Sequence, residues 1–252
     1  MVRVLMHGCC GAMGRVITGL AADREDLKIV AGVDRNTDDS LGYPVFQSLE
    51  ACDVEVDAII DFTAAPAVDH LLDYCAEKKV PVVLCSTGLS DAQMAKVSES
   101  AKKVAVLRSA NMSLGVNLLL KLVQEAAKVL ASSGFDIEIV EKHHNQKKDA
   151  PSGTALALAD SMNEALGDQY HYVYDRSSVH EKRDPKEIGI ASVRGGSIVG
   201  DHDVIFAGKD EVITFNHTAY SKAIFAKGAL EAAKFLAGKE PGLYDMSDVV
   251  QL

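Results

Sequence analysis

The densest run of side chains able to do chemistry lies at residues 141–154 and reads Glu-Lys-His-His-Asn-Gln-Lys-Lys-Asp-Ala-Pro-Ser-Gly-Thr. An imidazole titrates near neutrality and can give or take a proton. A lysine adds fixed positive charge for a carboxylate or a developing anion. Ser152, Gly153 and Thr154 open a helix there, and backbone amides with a hydroxyl at a helix start suit an anion. Together these groups fit a small dianionic acid and one proton transfer. Lys142 and Lys148 read as a solvated surface run. A metal at His143 and His144 is not expected: neighbouring residues on a strand point apart, and no cysteine or acid completes a zinc set at the usual spacing. Arg194, Gly195 and Gly196 form a basic turn that could reach substrate, although a hairpin is the simpler reading.

A second candidate is Gly8-Cys9-Cys10-Gly11-Ala12-Met13-Gly14, placed between a first strand and a first helix. Glycines let a backbone turn sharply and approach a pyrophosphate, and the helix N-terminus offers it unpaired N–H groups. The spacing is G-x-x-G-x-x-G rather than G-x-G-x-x-G, and a plain strand-to-helix turn is the alternative. Asp34 follows about twenty residues after the last glycine, where an acid accepts hydrogen bonds from adenosine ribose hydroxyls and favours NAD. Arg35, next to it, could instead hold a 2′-phosphate. The pair predicts use of NADH with tolerance of NADPH. Cys85-Ser86-Thr87-Gly88 and Ser109-Ala110-Asn111-Met112 fall at the carboxyl ends of later strands and are expected against ribose and nicotinamide, although such residues are also ordinary loop formers. Cys9 and Cys10 could form a vicinal redox pair. Five cysteines, an odd number without a C-x-x-C spacing, read more simply as reduced thiols in the cytoplasm.

The elements that must position these groups change character along the chain. Residues 2–6, 27–33, 56–62, 80–86 and 104–108 are aliphatic strands, separated by helices at 15–22, 65–77 and 91–103. That alternation predicts a Rossmann-like, doubly wound parallel sheet with helices on both faces. Beyond it come a long helix at 114–130, a strand at 135–141 and a helix at 155–166. Strands at 188–194, 200–207 and 211–217 follow, read as antiparallel and joined by glycine-containing turns. These form an α+β domain with a mixed or antiparallel sheet. The final amphipathic helix, 222–237, is expected to return to the first domain. The expected boundaries are 1–112, completed by 219–252, and 113–218. Thirty-six acidic against 26 basic residues give a net charge of −10, which argues against nucleic-acid binding. No apolar run reaches the roughly 18–20 residues of a membrane span, and the start lacks a signal-peptide pattern, so a cytoplasmic protein is expected.

Taken together, the glycine turn, Ser-Thr-Gly at 86–88, Ala-Asn-Met-Ser at 110–113 and, above all, Glu-x-His-His-x-x-Lys-x-Asp-Ala-Pro-Ser-Gly-Thr-Ala resemble the 4-hydroxy-tetrahydrodipicolinate reductase (dihydrodipicolinate reductase) family of lysine biosynthesis. The stretches at 193–200 and 242–249 are similar too, so the likeness covers almost the whole chain. It implies reduction of a cyclic imine dicarboxylate by NADH or NADPH in the diaminopimelate route. It implies His143 as the acid, Lys147 as its partner and a carboxylate ligand, and His144, Gly153 and Thr154 as further substrate contacts. It places the dinucleotide on Gly8, Cys9, Cys10, Gly11, Ala12, Met13, Asp34, Arg35, Cys85, Ser86, Thr87, Ser109, Ala110, Asn111 and Met112, and implies a homotetramer built through the second domain's sheet. Three residues depart from the family pattern. Ala12 stands where arginine is frequent, Cys85 where glycine is usual and Met112 where phenylalanine is common. A different two-domain dehydrogenase, or a non-catalytic dinucleotide sensor, would lack the His-His-x-x-Lys to Ser-Gly-Thr run.

Overall fold

Short aliphatic strands without polar alternation need cover on both faces, and the first part of the chain supplies it. In the computed structural model, which describes residues 1–250, the chain divides into two units, 1–114 with 223–252 and 115–222. The last two positions of the expected segment 219–252 lie outside the described residues. The first unit runs β1 (Val2–His7), α1 (Ala12–Ala21), β2 (Leu27–Val33), β3 (Val45–Phe46), β4 (Ala58–Asp61), α2 (Val68–Lys78), β5 (Val82–Leu84), α3 (Asp91–Ala101) and β6 (Ala105–Leu107). The second runs α4 (Leu114–Leu130), β7 (Asp136–His143), α5 (Gly153–Ala165), β8 (His171–Val173), β9 (Glu187–Arg194), β10 (Gly200–Ala207) and β11 (Val212–Ala219). The chain then returns to the first unit as α6 (Ala223–Leu236), β12 (Gly242–Tyr244) and α7 (Met246–Val249).

The seven strands of the first unit are all parallel, in the order β12-β6-β5-β4-β1-β2-β3. One apolar cluster lies where α1 and α6 cover the sheet, with Ile17, Ala229 and Leu236 fully or nearly fully buried against Val4, Met6 and Ile60. Another lies under α2 and α3, where Leu71, Leu72 and Val97 meet Leu5, Ile59 and Val82. Between β1 and β4 the winding direction reverses, which opens a crevice at their carboxyl ends, the usual ligand position in such sheets. The final helix packs within the first unit; β3 and β12, of two and three residues, carry too little pattern to be read from sequence.

The second sheet has the order β11-β10-β7-β9-β8. α4 and α5 cover one face, burying Val123, Leu158 and Met162 against Ile137, Ile139, Val204 and Phe206. The expectation of three successive antiparallel strands is corrected here. β9 does not pair with β10; β7 lies between them, parallel to β9 and antiparallel to β10. The connection at 195–199 is therefore no hairpin. It crosses the end of β7, where Gly195 N–H donates to the His143 carbonyl at 2.9 Å and Asn145 N–H to the Gly196 carbonyl at 3.2 Å. The chain leaves the sheet after His143, so both edges of β7 stay open to partners that arrive later in sequence.

Candidate active site

In the second unit the side chains of β7 alternate strictly. Ile137, Ile139, Glu141 and His143 turn to the helix-covered face, and Lys142 turns to the other. The period of two thus carries an acid and an imidazole onto the core face at the strand's carboxyl end. Register completes the cluster: Glu141 lies opposite His202 on β10, and His143 lies opposite Arg194 on β9. Glu141, with no exposed surface, accepts from both Arg194 guanidinium nitrogens at 2.7 and 2.8 Å, from Ser152 N–H at 3.1 Å and meets His143 Nδ1 at 2.6 Å. Burial pushes the Glu141 carboxyl up, but donors from Arg194, Ser192 and His143 outweigh it and hold the group at about 2. The carboxylate is then acceptor-only, so Nδ1 carries the proton and Nε2 is the free nitrogen. Nε2 sits beside Gly200, where a Cβ would come within 3.2 Å of it.

Ser152 caps α5, its hydroxyl accepting from Ala155 N–H at 3.2 Å and meeting His202 Nε2 at 3.1 Å. The cap residue thereby ties the α5 N-terminus to Glu141. Gly153 is exposed and Thr154 half-buried at the first helical positions. Lys147 sits one turn past His144, whose carbonyl accepts its N–H at 3.1 Å, and its ammonium meets Asp149 at 2.9 Å. His202 stacks edge-on against His143 with ring centroids 5.1 Å apart; burial, then the charge of His143, lower its pKa to about 4. Lys142 is not a solvated surface residue. It bridges Asp201 and Asp203, each at 2.8 Å, on the opposite face.

In the first unit the glycine turn is held by contacts that only glycine permits at two positions. Gly8 has φ +86°, and a Cβ there would come within 2.9 Å of the Phe62 carbonyl oxygen; a Cβ on Gly14 would fall 2.4 Å from the Gly8 carbonyl oxygen. Gly11 begins α1 without any side-chain cap, so the helix N–H groups stay available. Cys9 is fully buried beneath the loop, and burial pushes its thiol up to about 12. Cys10 N–H donates to Asp34 at 3.0 Å, and Ala12 and Gly11 are exposed. Arg35 is exposed, whereas Arg15 is drawn to Asp38 at 2.6 Å and to the Cys10 carbonyl at 3.2 Å.

At the crevice itself stands a residue the sequence reading did not single out. Asp61 ends β4 with no exposed surface and gathers His7 Nδ1 at 2.8 Å, Thr63 Oγ1 at 2.7 Å and Ser86 Oγ at 2.6 Å. Ser86 thus spends its hydroxyl on Asp61. Thr87 is exposed, and burial pushes the Cys85 thiol well up. Ser109 and Asn111 are half-buried and Ala110 is exposed. The Asn111 side-chain oxygen Oδ1 accepts from Ser113 N–H at 2.8 Å. Met112 is a core residue, its carbonyl seated against Gly228 where a Cβ would be 1.6 Å away. Its side chain supports the unit's packing.

Two family profiles match this chain: "Dihydrodipicolinate reductase, N-terminus" over residues 2–112 and "Dihydrodipicolinate reductase, C-terminus" over 115–250. The chain belongs to the dihydrodipicolinate reductase family. It is 53% identical to the 4-hydroxy-tetrahydrodipicolinate reductase of Caldanaerobacter subterraneus subsp. tengcongensis, covering 100% of this chain and 99% of that one. It is 48% identical to the reductase of Clostridium tetani over 98% and 96% of the two chains. The solved structure of dipicolinate-bound dihydrodipicolinate reductase from Paenisporosarcina sp. TG-14 is similar, with a TM-score of 0.83 and 26% identity over 99% of this chain and 100% of that one.

Membership makes the chain an NAD(P)H-dependent oxidoreductase of lysine biosynthesis with a Rossmann-like first unit. The uncapped α1 N-terminus and the glycines that bring backbone to it fit a dinucleotide's phosphates. From sequence, Glu141 and His202 carry no assigned role, Arg194 reads only as part of a basic turn and Ser152 only as part of an anion-binding helix start. The alternation of β7 was the signal for Glu141, two residues before His143 on the same face; Arg194 and His202 come from distant strands that no local pattern pairs with it.

Proposed function

We propose that the chain reduces 4-hydroxy-tetrahydrodipicolinate to tetrahydrodipicolinate, with His143 as the proton donor and the α5 N-terminus and Lys147 as the anion site. The Arg194–Glu141–His143 chain, centred on the buried Glu141, carries this reading, since it fixes one imidazole tautomer near the start of the motif at 141–155. Glu141 keeps the proton of His143 on Nδ1 in the resting state, and protonation at Nε2 makes an acid that Glu141 stabilises through the opposite nitrogen. His144, Gly153 and Thr154 hold the substrate carboxylates, with the N–H groups of α5 supplying fixed positive potential. Lys147 exchanges Asp149 for a substrate carboxylate and offsets the second negative charge. The dinucleotide is held by the glycine turn, Asp34 and the loops after β5 and β6, and supplies the hydride when bound. In sum one hydride and one proton enter the ring, and the 4-hydroxyl leaves as water together with a proton lost from an adjacent ring carbon.

The working enzyme is a cytoplasmic homotetramer. Among the described residues no helix covers the sheet face bearing Lys142, Asp201 and Asp203, and a partner's equivalent face covers it. Loss of NADH absorbance with substrate made freshly from pyruvate and aspartate semialdehyde tests the activity. Turnover that requires both precursors supports it; no oxidation, under conditions where a reference reductase works, refutes it.

A further inference from the structure

The reaction leaves the two thiols of the glycine turn without a task. Cys9 Sγ and Cys10 Sγ stand 4.0 Å apart, and a carboxylate oxygen of Asp34 lies within 4.8 Å of both. Among the described residues no other group of three or more histidine, cysteine, aspartate or glutamate donors gathers this closely. The arrangement is held from several sides. The Cys9 sulfur is seated over Gly32, where a Cβ would come within 2.6 Å of it. Cys10 donates through its N–H to Asp34 at 3.0 Å and through its thiol to the Asn36 carbonyl at 3.3 Å. Both cysteines are free thiols.

We infer that Cys9, Cys10 and Asp34 form a site for a thiophilic divalent cation of the zinc and cadmium class, and that this ion and the dinucleotide exclude one another. A zinc–sulfur bond of about 2.3 Å at the tetrahedral angle puts two sulfurs about 3.8 Å apart, close to the spacing present. Each thiol loses its proton as its metal–sulfur bond forms, so two protons go to solvent and no electron moves. Asp34 gives the third ligand and water the fourth. Thiolates select such ions over magnesium or calcium. The exclusion rests on the reading of Asp34 as the adenosine-ribose acid, because one carboxylate cannot serve ion and ribose together.

The test titrates the reduced, full-length protein with Cd²⁺ alone, following the ultraviolet thiolate-to-metal charge-transfer band and the protons released. One ion per chain, two thiolates and two protons are expected. Cys10→Ser should halve the band and lower affinity at least about tenfold, the loss of one thiolate ligand. Asp34→Asn should keep the band and bind several-fold more weakly, and Cys52→Ser should match the parent. A band that survives Cys10→Ser at unchanged affinity overturns the site. With Cd²⁺ at about ten times its Kd, the apparent Kd for NADH should rise about tenfold by mass action. Tight Cd²⁺ binding with an unmoved NADH Kd overturns the exclusion. NADH that fails to bind even without metal counts instead against the dinucleotide reading, while the Cd²⁺ titration still decides the site.

Discussion

The hydrogen bond on a histidine's second nitrogen sets its tautomer and steadies its charged form, and at His143 a fully buried carboxylate makes that bond. Removing that charge while keeping the shape, as in Glu141→Gln, leaves Arg194 without its bidentate partner and His143 free to change tautomer. We expect kcat to fall about tenfold to 100-fold with a much smaller change in substrate KM, and the stability to drop by about 3 kcal/mol, as when a buried pair loses one member. Denaturant melts with steady-state kinetics check both. The carboxyl is depressed from its ordinary 4.5 to about 2. Its contribution to stability is therefore complete above about 4.5 and disappears as pH falls toward 2, and Glu141→Gln should flatten the stability profile across that window. His202 follows the same sign higher up. Burial lowers it from 6.5 to about 4, so its contribution is complete above 6.5 and is lost as pH falls toward 4. The melting profile of His202→Gln should slope less in that range; an unchanged slope would show that the imidazole is not held neutral.

At the scale of elements, the fold was readable where side-chain period and burial agree. The aliphatic runs of β1, β2 and β4 announce buried parallel strands, and the turn at Gly8 announces its place between strand and helix. The strand pairing in the second unit was not readable. Five residues containing Gly195 and Gly196 look locally like a hairpin, and only the open edges of β7, set by where His143 leaves the sheet, send β9 and β10 to opposite sides of it. The same long-range pairing brings Arg194 and His202 to Glu141, which is why the acid's partner was legible as a motif and its support was not. The glycine turn yields a prediction of its own. Gly14→Val puts atoms 2.4 Å from the Gly8 carbonyl, so the loop must shift. NADH affinity should fall at least about tenfold, the cost of moving backbone that approaches the phosphates. A dipicolinate titration of the same variant should match the parent, because the proposed anion site at Lys147 and the α5 N-terminus lies in the second unit.

For the whole molecule, the acidic balance of −10 and a first unit whose β2 is followed directly by Asp34 favour a cofactor without an extra phosphate. Arg35 is exposed and Arg15 is occupied by Asp38, so a 2′-phosphate meets little prepared positive charge. KM for NADH should be comparable to or below that for NADPH; a strong preference for NADPH would show that Arg35 dominates. Among the described residues no helix is long and apolar enough to cross a membrane. The most direct test of the central claim is the turnover of His143→Gln alongside its affinity for dipicolinate. The account predicts that kcat falls about 100-fold while dipicolinate binds within a few-fold of the parent, since the acid is lost and the anion site is kept. A variant that turns over at the parent's rate would contradict it and place the proton donor elsewhere.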